Sequence, residues 1–281
     1  MSRNLRGLSE RKGLEGGLYE EISSSASENH DAIADNFLTG RSAVLGVSSF
    51  YDFLGNDHLG RKVFVCDGTA CLVSGGQEKV MEKLSARYSA DEIGRVTCLG
   101  HCHSNDAFMV NGEIRVAGDG KPEEPLRVAT NAEKPALLPE EGETGAYWDL
   151  ARKYLSDSSA ALAELERSGL RGRGGAGFPF HVKVRSSRDA VADRKYVVCN
   201  ADEGDPGAFS DKWLLEERPH SVLFGMLMTG LITGADTGVV YIRGEYPVAV
   251  SAVRKAVALL EEKGITAGGT GASLFPFRRK Y

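Results

Sequence analysis

Four of the five cysteines in this 281-residue chain fall into two close pairs, Cys66-x4-Cys71 and Cys98-x3-Cys102, and any fold must account for them. Each pair directly follows a stretch that reads as a strand, KVFV before the first and RVT before the second. A helical pattern over Gly75–Tyr88 lies between them, with Val80, Leu84 and Tyr88 at four-residue spacing. Adjacent strands joined in this way deliver four thiolates to one point at one sheet edge. Soft ligands of that kind suit an iron–sulfur cluster or structural zinc. Zinc knuckles more often use two-residue gaps, whereas x4 and x3 loops leave room for backbone N–H groups to bond bridging sulfides. The spacing therefore favours [2Fe–2S] at Cys66, Cys71, Cys98 and Cys102, with zinc as the alternative and free buried thiols as the plainest one. His101 and His103 interleave with the second pair without the spacing of a Rieske site and read as loop residues. Cys199 stands alone at a strand end and reads as a small core residue.

The segments around the cysteines complete an α/β unit. Val44, Leu45, Val47, Phe50, Tyr51 and Leu54 cover one face of a short helix over Ser42–Leu54. AFMVNGEIRV reads as two strands about Asn111-Gly112, because both central residues of a tight primed turn need positive φ. Residues 1–41, rich in Ser, Gly, Asn and charge, read as mobile or loosely helical. The domains expected are thus 42–118 for the cysteine unit, a linker over 119–138, and 139–281 for a second unit.

The second unit alternates helices and strands. Helix is expected over Ala146–Arg167, with Ser158 or Ser159 as a cap and Gly169 as a left-handed end. The strand Lys195–Cys199, a helix from Pro219 over Ser221–Thr233, the strand Gly238–Arg243 and a helix over Tyr246–Lys263 follow. Pro219 and Pro247 suit first helical turns. Helix-length crossovers imply a parallel sheet, whose ligands sit beyond the strands' C-terminal ends.

Two loops carry the chemistry there. Gly172-Arg-Gly174-Gly175-Ala-Gly177 satisfies G-x-G-x-x-G, but it follows a helix and precedes Phe-Pro and an expected extended segment. The standard dinucleotide fingerprint needs a strand before it and a helix after it, so that reading fails. The glycines still allow close backbone approach to a phosphate or flat ring, and Arg171, Arg173 and Lys183 add positive charge. Asn200-Ala-Asp202-Glu203-Gly-Asp205-Pro-Gly207, at the end of Lys195–Cys199, offers carboxylates and an amide to ribityl or ribose hydroxyls. Ordinary turns, glycine-rich or acidic, are the bland readings of both loops.

Net charge is −5, with basic residues interleaved among acidic ones, so no basic stripe suggests a nucleic acid. The longest apolar run, Val222–Ile232, is too short to span a bilayer. The N-terminus lacks the apolar core of a secretory signal. A cytoplasmic place is expected, and an odd cysteine count fits metal or free thiols better than disulfides.

Two resemblances follow from these motifs. The layout strand–Cys-x4-Cys–helix–strand–Cys-x3-Cys, preceded by VLGVSSFYDFL, resembles the thioredoxin-like [2Fe–2S] ferredoxin domain of the complex I 24 kDa subunit over about Ser42–Val116. AYWDL, SGLRGRGGAGFP, CNADEGDPGAFSDKWLLEERPH and YIRGEYP resemble the NADH-binding 51 kDa subunit and its relatives in hydrogenase and formate dehydrogenase diaphorases. The fold implied is α/β, a thioredoxin-like ferredoxin domain followed by an incomplete 51 kDa-type FMN-binding domain. The second resemblance implies that Gly172, Gly174, Gly175, Lys183, Asn200, Asp202 and Glu203 contact FMN, with Phe178 and Asp205 beside NAD(H). Asp205 stands where the family usually has Glu, and Phe180-His-Val-Lys183-Val184 replaces its usual Thr-Gly-x-Lys-Trp. The family continues past the position of Tyr281 with Gly-Glu-Glu and further domains, so a C-terminally truncated fused diaphorase subunit is implied.

The activity implied is NADH:acceptor oxidoreduction through FMN and iron–sulfur clusters, within a multi-subunit redox complex and without membrane insertion. No side-chain acid or base is required for hydride transfer, so none is nominated as catalytic. The alternative is a non-catalytic iron–sulfur relay or assembly subunit.

Overall fold

A computed structural model describes residues 17–24, 29–55, 58, 60–117, 129, 131–133, 144–266 and 278–280. They fall into two compact units, the first built from the chain up to Glu123 together with Gly204–Ala208, the second from the remainder. The linker expected over 119–138 lies almost wholly outside the described residues.

The first unit begins with three helices, α1 (Leu18–Ser24), α2 (His30–Asn36) and α3 (Arg41–Phe50). Ile22, Ile33, Ala34, Val44 and Leu54 form a buried cluster that joins them. The N-terminal stretch is thus helical and packed where it is described. The predicted helix over Ser42–Leu54 ends at Phe50 and is followed by a 3-10 turn, Asp52–Leu54.

The sheet of this unit contains β1 (Val63–Cys66), β2 (Ile93–Val96), β3 (Ala107–Val110) and β4 (Glu113–Val116) in the order β2-β1-β3-β4. β1 and β2 are parallel, with Cys66 opposite Val96, while β3 runs antiparallel to β1 and β4 to β3. The Asn111-Gly112 turn has φ 50° and 81°, as a primed hairpin requires. The helix expected over Gly75–Tyr88 is α5 (Gln77–Ser85); a short helix that was not expected, α4 (Thr69–Ser74), precedes it and ends at Gly75 in the left-handed region at φ 71°. Val80 and Leu84 of α5 pack on Val63, Val65, Ile93 and Val110.

The second unit holds α6 (Thr144–Tyr154), α7 (Ser158–Ser168), α8 (Phe180–Asp189), β5 (Tyr196–Ala201), α9 (Ser210–Glu217), α10 (Pro219–Thr233), β6 (Thr237–Ile242), α11 (Pro247–Glu262) and β7 (Arg278–Lys280). The sheet is all parallel in the order β5-β6-β7. Pro219 and Pro247 stand in first turns, and Gly169 ends α7 at φ 63°. The cap of α7 is Asp157 rather than Ser158 or Ser159, its carboxylate accepting from Ala160 N–H at 3.0 Å. Trp148, Leu223, Met226, Leu227, Ala256 and Leu260 bind α6, α10 and α11 into one core. That core covers one face of the sheet through Val197, Cys199 and Val240. On the other face Tyr196, Val198 and Tyr241 are exposed, 42%, 60% and 39%, while Thr237 and Val239 are buried.

Two local readings are corrected here. The residues after the glycine loop are not extended: Phe180-His181-Val182-Lys183 form the first turn of α8, so the loop does open a helix. It nevertheless leaves a helix, α7, rather than a strand, so the dinucleotide fingerprint remains unsatisfied on that side. The second is α9, which the sequence reading leaves as loop.

Candidate functional site

The cysteine centre belongs wholly to the first unit. Cys66 closes β1, Cys71 sits in α4, and Cys98 and Cys102 lie in the loop after β2, so the parallel β1–β2 pair delivers both pairs to one sheet edge. All four side chains are buried. The Sγ atoms are 3.5 Å apart in Cys66–Cys71 and 3.6 Å apart in Cys98–Cys102. Two thiolates on one tetrahedral ion, with bonds near 2.3 Å, stand about 3.7 Å apart, so each pair has the spacing of two ligands on one iron. Cys66 and Cys98 are also in contact, so the two pairs meet as one group of four thiols, the soft donor set of an iron–sulfur cluster or structural zinc.

Backbone donors accompany the sulfurs. Gly100 N–H donates to Cys98 Sγ at 3.4 Å, and Gly207 N–H, from the Gly204–Ala208 segment of this unit, donates to Cys102 Sγ at 3.1 Å. Such N–H···S bonds favour the thiolate form and tune a bound cluster. Sharing a proton with Cys71 holds Cys66 above the ordinary thiol range and Cys71 below it. Contact with Cys66, and then burial, push Cys98 up, while burial raises Cys102 against the Gly207 N–H. Without metal the group is thus a proton-sharing set of buried thiols, and metal must displace those protons to bind. Gly68 lets the two cysteine loops meet, since a Cβ there would lie 2.3 Å from Thr97 O. His101 and His103 ring centroids are 5.5 Å apart beside the second pair.

In the second unit the glycine loop is pinned at its base. Gly172 N–H donates to Phe178 O at 2.8 Å, Phe180 N–H to Leu170 O at 2.9 Å, and Arg171 bridges Pro179. Between those ties Gly172, Gly174 and Gly175 are exposed, Gly175 at φ 105°, and a Cβ at Gly174 or Gly175 would meet nothing. The result is a bare strip of backbone at the entrance to α8, flanked by the exposed Phe178 and by Lys183 in the first helical turn. That is a cradle for a phosphate or a flat ring.

Across the sheet edge, Asn200 ends the exposed row of β5, and its Oδ1 accepts from Asp202 N–H at 3.2 Å. Asp202 follows, partly exposed, with Arg243 Nε 3.8 Å away. Glu203 turns its carboxylate to α9: Oε1 accepts from Ser210 Oγ and Asp211 N–H, Oε2 from Lys212 N–H, all at 3.1 Å. Phe209, the local cap residue, supplies no side-chain bond, so a distant carboxylate satisfies the orphan N–H groups. Asp205 is exposed in the segment grouped with the first unit. The structure thus organises the glycine loop and the acidic loop each through its own neighbours.

Three features escape a reading of the sequence. The Gly207 donor to Cys102 is separated from it by 105 residues and carries no local signal. The Glu203 cap of α9 is read only once the loop's path is known. Arg243, Glu245 and Tyr246 of the YIRGEYP stretch are buried together behind the acidic loop. A charged residue immediately after an apolar strand was the signal available for the last.

Comparison with known proteins agrees with this geometry. Residues 165–281 match the Nuo51 FMN-binding domain and residues 25–129 the thioredoxin-like [2Fe–2S] ferredoxin. NADP-reducing hydrogenase subunit HndC of Solidesulfovibrio fructosivorans is 47% identical over 126 residues, 44% of this chain and 26% of the relative. A subunit of the NADH-quinone oxidoreductase of Rhizobium meliloti is 40% identical over 137 residues, 48% of this chain and 32% of the relative. The alpha subunit of the NAD-reducing hydrogenase HoxS of Cupriavidus necator is 44% identical over 104 residues, 37% of this chain and 17% of the relative. A crystal structure of an NAD+-reducing [NiFe]-hydrogenase in the air-oxidized state shares the fold with TM-score 0.67 at 23% identity. It covers 93% of this chain and 51% of that one. The chain therefore matches a third or less of these curated relatives and about half of the solved chain. Its two units carry the resemblances that their motifs imply: one stretch of the chain matches the thioredoxin-like [2Fe–2S] ferredoxin and a second, following it, matches the Nuo51 FMN-binding domain.

Proposed function

We propose that the chain is the electron-transfer part of a diaphorase, an NADH:acceptor oxidoreductase module that moves electrons between NAD(H), FMN and iron–sulfur centres. The observation that carries this is the presence, in one chain, of a buried two-pair thiol centre and an open glycine cradle beside an acidic strand end. Bound FMN supplies the exchange between two-electron hydride chemistry and single-electron transfer. The protein's own part is to bind and orient.

In this reading the bare backbone at Gly172, Gly174 and Gly175, with Lys183, holds the phosphate or the ring. Asn200 and Asp202 meet hydroxyls, and Phe178 borders the nicotinamide nucleotide. The apolar face at Val198 and Tyr241 excludes water from one side. The thiols of Cys66, Cys71, Cys98 and Cys102 hold [2Fe–2S]. No side chain is assigned a proton-transfer step, since hydride transfer needs none.

The relatives' names place them in hydrogenases and NADH-quinone oxidoreductases. The partners proposed for this chain are accordingly the other subunits of such a redox complex, in the cytoplasm. No helix among the described residues is long and apolar enough to cross a membrane. The test is NADH–ferricyanide reductase activity of the anaerobically reconstituted chain, alone and with its redox partners. NADH oxidation that depends on added FMN supports the proposal. A chain whose cluster is reduced by dithionite but which oxidises no NADH in either setting is a relay and overturns it.

A further inference from the structure

Arg243 is the first residue after β6, and the parallel pairing sets it beside the exit of β5, where Ala201 stands opposite Ile242. It is 7% exposed. A guanidinium that far from water is costly unless its donors are used, and here they converge on the acidic loop. Nη1 donates to Glu203 O at 2.8 Å, and Nε lies 3.3 Å from Glu245 Oε2 and 3.8 Å from Asp202 Oδ1. Tyr246, fully buried, donates its hydroxyl to the same Glu203 carbonyl at 3.1 Å, with the guanidinium over its ring at 5.3 Å. The Glu203 side chain is held from the other direction by the N-terminus of α9.

We infer that Arg243, with Tyr246, is a positioning residue that preforms the Asn200–Glu203 loop for its ligand. The peptide carbonyl of Glu203 accepts two donors and its carboxylate three, so the residue is fixed through both backbone and side chain. Asn200 and Asp202, the loop's two groups left facing outward at the strand end, are thereby held at a fixed offset from the sheet. Glu245 balances the guanidinium charge, so that Asp202 shares its attraction rather than losing its carboxylate to a full ion pair. Preformed groups bind a hydroxyl-rich ligand without spending affinity on ordering the loop. This inference rests on the proposed FMN site for its ligand, but not for its structural content.

The experiment uses the full chain with three substitutions: Arg243→Lys, Tyr246→Phe and, as a core control, Leu162→Val in the separate Ala161–Leu162–Val184–Ile232 cluster. Arg243→Lys keeps the charge near Glu245 and loses the forked donor; Tyr246→Phe keeps the ring and loses only the hydroxyl. Two readouts are taken on each: FMN affinity by flavin fluorescence, and amide hydrogen exchange of the 200–203 segment without flavin. Both site variants are expected to bind FMN about tenfold more weakly, the equivalent of one net hydrogen bond. Their segment is expected to exchange several-fold faster, with the control unchanged in both readouts. Wild-type exchange rates in both site variants would overturn the inference whatever FMN does. Equal loss of FMN affinity in the control would reduce Arg243 to general stability and overturn it too. A wild-type chain that binds no FMN, yet shows the faster exchange in the variants, would refute the FMN site and leave the positioning role supported.

Discussion

Replacing Gly68 by alanine tests how closely the two cysteine loops must approach. Gly68 lies two residues beyond Cys66, and Thr97 immediately precedes Cys98. A Cβ at Gly68 would stand 2.3 Å from Thr97 O, about 0.7 Å inside the 3.0 Å limit of real Cβ contacts, and the obstacle is backbone rather than a movable side chain. The backbone of Gly68, at φ −66° and ψ 149°, suits any residue, so the effect is purely one of contact. Relief requires the loops to part by most of an ångström, next to thiols spaced for a shared cluster. Overpacking of this kind costs about 1–3 kcal/mol, which for a unit of about a hundred residues lowers its melting temperature on the order of 10 °C. Iron and sulfide content after anaerobic reconstitution, visible absorbance and thermal unfolding of the metal-free chain give the readouts. Gly68→Ala is expected to lose cluster content and to melt earlier. Wild-type iron content together with an unchanged melting temperature would refute the close-approach argument.

Three further outcomes are expected. Glu203→Ala, by removing the carboxylate that caps α9 from afar, is expected to cost about 1–2 kcal/mol in flavin-free denaturant unfolding. Lys212→Met leaves Glu216 without the ammonium 3.1 Å away; burial already holds that carboxyl above its usual range and Lys212 opposes the rise. With the pKa raised further in the folded state, the penalty is absent at pH below about 4. It grows as pH climbs through the folded value, so unfolding scans should show a loss of about 2–3 kcal/mol at pH 8 and little at pH 4. Gly112→Val puts a β-branched residue at φ 81° in the β3–β4 hairpin and is expected to destabilise the first unit by about 1–2 kcal/mol, read as an earlier thermal transition.

What could be read from the sequence was governed by local rules. The Asn111-Gly112 turn, the prolines opening α10 and α11, and Gly169 closing α7 each follow from a backbone preference within four residues, and each stands as read. The parallel sheet followed from the alternation of elements, and the four cysteines from their spacing. The misses share a different cause. In α8 the residues after Phe-Pro were expected to be extended, but packing of Val184 against Ala161, Leu162 and Ile232 decides for helix. In α9 the cap is Glu203, outside the helix, so no local start signal exists. The α4 helix, six residues ending in a left-handed glycine, is shorter than any periodicity window. At the site, the residue types of the acidic loop were legible, but not which way Glu203 points, because Arg243, Tyr246 and α9 settle that through contacts far apart in sequence.

The most direct test of the account is a combined metal, flavin and EPR measurement on the anaerobically reconstituted full chain. The account expects about two irons and two sulfides per chain, a paramagnetic signal on dithionite reduction that disappears in Cys66→Ser, and tight retention of FMN. Zinc in place of iron, or an iron-free chain that retains no flavin, would contradict it.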